Sequence, residues 1–161
     1  MPSFDVVSRV ELQEVENALN QTRKEVVQRY DLKDTKTEIG WDQKEIVVTS
    51  ADDFKVKAVL DVLQSKLVKR NVPLKNLEYG AVEPAAGGRA RQKITVRQGI
   101  DSDKAREIVK HVKASGAKVQ AQILEDQVRV SSKKRDDLQA TIQLLKGADF
   151  GLALQFANFR E

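Results

Sequence analysis

One order of elements, written twice, limits what this chain can fold into. Phe4 and Val6 alternate as in a short strand, and Leu12, Val15, Leu19, Val26 and Tyr30 follow at helical spacing. Ser8 and Glu11 have the spacing of a capping box at that helix start. Thr37–Trp41 and Glu45–Thr49 read as two strands about the turn Asp42-Gln43-Lys44. A second helix carries Val56, Val59, Leu60, Leu63 and Leu67 on one face and stops before Pro73, and Leu77–Val82 reads as the closing strand.

The same order returns with Lys93–Arg97, a helix over Asp101–Ser115 ended by Gly116, Lys118–Leu124, Gln127–Ser131, a helix from Lys133 to Lys146, and Leu152–Phe159. A shift of 82 residues lays Ile46 on Val128, Val48 on Val130, Val56 on Leu138 and Leu60 on Ile142. The first strands align at a shift of 90, which asks for a first helix about two turns longer in the first copy. The expected fold class is therefore α+β: a tandem of two ferredoxin-like or RNA-recognition-like βαββαβ units, each an antiparallel sheet with two helices on one face. Glu83-Pro84-Ala85-Ala86-Gly87-Gly88 has linker composition, so the units are expected at 1–88 and 89–161. A strand exchanged between the halves would leave the same pattern.

Charge divides along that boundary. Residues 1–88 hold 13 Lys/Arg and 15 Asp/Glu, whereas residues 89–161 hold 15 and 9. A basic half beside a mildly acidic one points to a polyanion on the second unit. Strand parity sharpens this reading. In the second copy, Lys93, Thr95, Arg97, Lys118, Gln120, Gln122, Gln127, Arg129 and Ser131 fall on the outward face, with four cations and no acid. The matching face of the first copy, with Asp5, Lys36, Glu38, Asp42 and Glu45, is predominantly acidic.

Arg97, Lys118 and Arg129 are thus candidates for phosphate contacts, and Gln120 and Gln122 for base edges. Lys133, Lys134 and Arg135 compete for the phosphate: they open a helix whose dipole and free amides favour an anion. Nucleic acid is the second reading of the same face, but Glu45–Thr49 and Gln127–Ser131 lack the aromatics on which RNA-recognition sheets stack bases. Phe156, Phe159 and Trp41 read as core. A protein-interaction scaffold is the third reading.

Catalysis is not expected. The chain has no cysteine, and its one histidine, His111, reads as a solvated helix residue between Lys110 and Lys113. Asp52-Asp53 and Asp136-Asp137 suit helix first turns without a metal. Gly87-Gly88 lacks the Lys-Ser/Thr of a phosphate loop, and no cofactor motif is present. No signal peptide or membrane-length apolar run is found, so a cytoplasmic location is expected.

Pro2-Ser3-Phe4-Asp5-Val6-Val7-Ser8, Arg97-Gln98-Gly99-Ile100, Lys118–Ile123, Val128-Arg129-Val130, Lys134–Gln139 and Leu154–Arg160 together resemble the YajQ family of bacterial proteins over essentially the whole chain. The resemblance implies two ferredoxin-like domains and nucleotide binding. It further implies cyclic di-GMP as ligand and a transcription regulator as partner, as proposed for some members. It carries over no site residue by residue, and the Arg-x-x-x-Arg pattern of other cyclic di-GMP receptors is absent.

Overall fold

The computed structural model describes residues 1–161. Two compact units divide the chain: Val10–Arg97, here the inserted unit, and Met1–Arg9 with Gln98–Glu161, here the terminal unit. Each is an α+β unit with an antiparallel sheet and two helices. No helix is long and apolar enough to cross a membrane.

The terminal unit contains β1 (Ser3–Val7), α3 (Ser102–Ala114), β7 (Gln120–Leu124), β8 (Gln127–Ser131), α4 (Arg135–Lys146) and β9 (Gln155–Arg160). Its sheet order is β7-β8-β1-β9, with Phe4 opposite Val130 and Asp5 opposite Arg129. All five residues of β1 are buried. Phe4 and Val6 meet Ile108, Val112, Val128, Val130, Ile142 and Leu145 in the core. Helix α3 turns Ala105, Ile108 and Val112 to that core, and Asp101 caps it by accepting the Lys104 amide at 2.8 Å.

The inserted unit runs α1 (Leu12–Gln28), β2 (Glu38–Trp41), β3 (Glu45–Ser50), α2 (Asp53–Lys69), β4 (Leu77–Tyr79), β5 (Glu83–Ala85) and β6 (Arg89–Val96). The sheet order is β2-β3-β6-β4, and β5 also pairs with β6. Strand β3 alternates buried Ile46, Val48 and Ser50 with half-buried Glu45, Val47 and Thr49. Ile46 faces Ile94 across to β6, and both are fully buried with Leu19, Leu63 and Leu67. Trp41 is partly buried against this cluster, on the inward side expected of it. The β2–β3 turn closes as Asp42 accepts the amides of Lys44 and Glu45 at 2.9 and 2.7 Å, while Gln43 takes φ +73°.

The boundary expected between 1–88 and 89–161 is therefore displaced. Residues 1–9 complete the second half's sheet, and Arg89–Val96 completes the first half's. Phe4-x-Val6 and Ile94-x-Val96 offer the same inward pair, so local pattern fits either strand to either sheet. Glu83–Gly88 is no linker. Glu83–Ala85 is β5, and Gly87 and Gly88, each at φ +74°, turn the chain back into β6. The chain passes between units near Arg9–Val10 and Arg97–Gln98 instead.

Two smaller expectations also change. Helix α1 starts at Leu12 with Glu11 as its N-cap residue and no side-chain cap there, three residues later than a helix capped by Ser8 would start. Ser8 ends β1's run into the crossing, where its carbonyl accepts the Gly99 amide at 2.6 Å. Helix α1 has 17 residues and α3 has 13, about one turn of difference rather than two.

These assignments predict how fragments behave. Residues 10–97 hold a whole sheet and core, and this fragment should fold alone, with dispersed amide resonances and cooperative thermal unfolding. Residues 1–88 lack the central strand β6 and should give the narrow dispersion of an unfolded chain. A folded 1–88 fragment would contradict the strand assignment.

Candidate functional site

The open face of the terminal sheet centres on a buried carboxylate. Asp5 is fully buried, and its two oxygens accept five hydrogen bonds from four side chains. Arg129 Nε on β8 donates to Oδ1 at 3.0 Å. From β9, Arg160 Nη2 and Asn158 Nδ2 donate to Oδ2 at 3.1 and 2.8 Å. Gln127 Nε2 reaches Oδ2 at 3.3 Å, and Arg160 Nη1 reaches both Oδ1 and Ser3 Oγ at 3.4 Å. Asn158 has φ +56° where the β1–β9 register slips between Ser3 and Asp5. That irregularity places Asn158 and Arg160 together over one carboxylate.

Burial would push the Asp5 carboxyl up, but the hydrogen bonds from Arg160, Arg129 and Asn158 outweigh it and hold the pKa at about 2. The arrangement corrects the expected acid-free face. The exchange of β1 brings Asp5 into the row of cations, and Arg129 is already paired.

Arg97 is not in this sheet. It ends the inserted unit, and its guanidinium is paired with the Glu78 carboxylate. Its main chain is also fixed, the amide donating to Asn76 O at 2.7 Å and the carbonyl accepting Asn76 Nδ2 at 2.9 Å. Lys93 and Thr95 likewise lie on β6, opposite Val47 and Glu45. Counted by unit, the charge asymmetry disappears: Val10–Arg97 holds 16 Lys/Arg and 14 Asp/Glu and the terminal unit 12 and 10, so each is net +2. The sequence signal for this was Asp5 itself, an acid between apolar residues in Phe4-Asp5-Val6. Its partners come from the far end of the chain, beyond the reach of periodicity.

The other candidates do gather at one end of the terminal sheet. Gln120 and Gln122 are exposed on β7, which has β8 as its one neighbour, opposite Ser131 and Arg129. Lys118 is exposed just before β7, and its carbonyl accepts Ser132 Oγ at 2.9 Å. Lys133 and Lys134 follow directly and are exposed. Lys134 is the N-cap residue of α4 and supplies no side-chain cap, unlike Asp52 on α2 and Asp101 on α3. Lys118, Lys133 and Lys134 form no ion pair, whereas Arg135 pairs with Glu161. His111 is exposed, with its ring edge-on to Phe150 at 5.6 Å. Phe156 packs edge-on to Phe4, but Phe159 is 61% exposed, its ring tilted against Phe4, so it is not the core residue expected.

Sequence comparison places this geometry in a known family. The family described as nucleotide-binding protein, YajQ-like, matches residues 2–160. The chain belongs to that family. Among its YajQ-like relatives, a protein named nucleotide-binding protein from Trichlorobacter lovleyi is 60% identical over 161 residues, the full length of both chains. Another from Geotalea uraniireducens is 55% identical over the same span. A Koribacter versatilis relative is 57% identical over 98% of this chain and 96% of its own. The YajQ-like family is thus described by a ligand class and not by a reaction.

The carboxylate cluster sets an acid limit on the terminal unit. Asp5's folded pKa lies below its unfolded value of 3.8, so its contribution is complete above that value and is lost as pH falls towards about 2. The shift corresponds to about 2 kcal/mol. Asp5→Asn removes the carboxylate and leaves Arg129 and Arg160, both partly exposed, to be hydrated, so it should cost about 2 kcal/mol at neutral pH. Urea unfolding of parent and variant from pH 7 to pH 2 should show the gap closing with acid. A constant gap would contradict this origin.

Proposed function

We propose that this chain is a small binding module that senses a guanine nucleotide, cyclic di-GMP, and passes the signal to a protein partner without transforming the ligand. The observation that carries the reading is the set of unpaired cations Lys118, Lys133 and Lys134 at the start of α4, beside exposed Gln120 and Gln122. Lysines supply charge for phosphates, and helix-start amides add oriented donors. Successive same-face residues on β7 lie about 6.5 to 7 Å apart, so the glutamine row has the length of a base and sugar. The naming of the family and its relatives for nucleotide binding supports the same ligand class.

Arg129 has a structural part in this reading. Its guanidinium balances Asp5, so Arg129→Ala removes a partner of a buried carboxylate and tests folding before it tests binding. Arg97 is left out because it belongs to the inserted unit and is paired with Glu78.

The exposed amides Gln120 and Gln122 also favour a second reading, in which the surface binds RNA or DNA along the sheet. Neither β3 nor β8 carries an aromatic for stacking, which weighs against it. Salt discriminates between the two. Each neutralised phosphate of a long nucleic acid contributes roughly 0.7 to 0.9 to the slope of log affinity against log salt, so a dinucleotide gives a shallow slope.

Calorimetric titration with cyclic di-GMP, GTP and ATP should show saturable binding of the cyclic dinucleotide with a slope no steeper than about two. Lys133→Ala with Lys134→Ala should weaken it roughly tenfold to a hundredfold, one to two charge-assisted contacts. Arg97→Ala and His111→Ala should leave it unchanged. Undiminished binding by the double variant would overturn the placement, and a steep slope with long RNA would favour the second reading.

A further inference from the structure

The inserted unit holds a cleft of about 560 Å³ that none of the residues above uses. It lies on the helix side of the sheet, between α2 and the β4–β5 edge. Phe54, Lys57, Asp61 and Gln64 project into it from one face of α2, at the three- and four-residue spacing that stacks side chains along a helix. Tyr79, Val82 and Gln92 form the opposite wall. The volume is within the range of small-ligand sites.

We propose that this cleft binds a guanine base. The apolar part of the wall is openly displayed: Phe54 is 83% exposed, and Tyr79 and Val82 are 40% and 41% exposed. Flat aromatic faces of this kind are platforms for stacking a base. The polar part is biased towards accepting. Asp61 forms no hydrogen bond or ion pair, even with Lys57 one turn away on the same face. Its carboxylate can only accept, and its two oxygens match two parallel N–H donors. Among the common bases, guanine presents that edge, in N1–H and the exocyclic amine.

The amides add to the match. Gln64 donates to Tyr79 Oη at 2.7 Å and Gln92 to the Gly80 carbonyl at 2.7 Å, so each side chain is held in place with its carbonyl oxygen still available. The charged groups lining the cleft are Asp53, Asp61 and Lys57, a net negative set that suits a base and repels a phosphate. The cleft is therefore a base site with a chemistry opposite to that of the cationic surface on the terminal unit. The inference rests on the guanine-nucleotide reading for its ligand class only; the cleft is a separate base site within the inserted unit, testable without any phosphate.

Guanosine, inosine and adenosine, none of which carries a phosphate, are the probes, titrated into isotope-labelled full-length protein and followed by amide chemical shifts. Guanosine should shift Gln64, Tyr79, Val82 and Gln92 saturably, and inosine, which lacks the exocyclic amine, should bind about tenfold more weakly. Asp61→Asn should remove the preference for guanosine, and Phe54→Ala should weaken all three probes. Both residues are exposed, so both variants should keep the parent's circular dichroism. Equal binding of guanosine and adenosine, or no shift at these residues, would overturn the proposal. So would a dimer in sedimentation that Phe54→Ala dissolves, since a second copy would then cover the cleft. Failure here with intact cyclic di-GMP binding through Lys133 and Lys134 would leave the nucleotide reading standing.

Discussion

Asp5 is the residue on which the terminal unit is organised. Its carboxylate is fully buried in the central strand β1, between β8 and β9, and it draws Arg129, Gln127, Asn158 and Arg160 from both neighbours. A buried charge is tolerated only when it is paired and hydrogen-bonded, and here both oxygens are satisfied. The same contacts couple the first residues of the chain to the last, because β1 has no other source of sheet partners. Apolar packing of Phe4 and Val6 on the helix side supplies most of the burial free energy, at roughly 1.5 to 3 kcal/mol for each such side chain. The carboxylate cluster adds direction, since the mirror position in the inserted sheet offers it no equivalent ring of donors.

That position makes the point. In the inserted sheet, β6 occupies the place β1 holds in the other sheet, and its outward residues Arg91, Lys93 and Thr95 face Thr49, Val47 and Glu45 on β3. Arg91 is 3.9 Å from Glu83 on β5, and Arg97 meets Glu78 beside β4. Arg91 and Arg97 are thus answered by acids of their own unit. Asp5 placed there would stand among those acids, and the cations of β6 placed beside Arg129 would have no counter-charge. Electrostatics therefore selects the exchanged arrangement that hydrophobic pattern leaves open.

The element order, the helix faces and the two hairpins were legible because each rests on local rules: period-two and period-3.6 patterns, Asp42 and Glu125 in turns, and Gly116 after α3. Which sheet received Phe4-x-Val6 or Ile94-x-Val96 was not legible, since both pairs have the same shape and parity. The error propagated into the site. Reading Arg97 beside Arg129 and overlooking Asp5 there produced an acid-free face that does not exist. Lys118, Gln120, Gln122, Lys133 and Lys134 stay together in one unit because they come from one contiguous hairpin and the helix after it. The Phe54–Asp61–Tyr79 cleft gave little signal, because exposed aromatics on a surface helix resemble any amphipathic pattern until β4 and β5 are placed against it.

Hydrogen exchange tests the central claim most directly, that β1 and its carboxylate belong to the terminal sheet alone. The comparison is between parent and Asp5→Asn under native conditions, amide by amide. The account predicts lost protection at Val6, Val128 and Val130, with Ile46, Val48 and Ile94 protected as in the parent. Equal loss in both sets, or loss confined to β3 and β6, would contradict it.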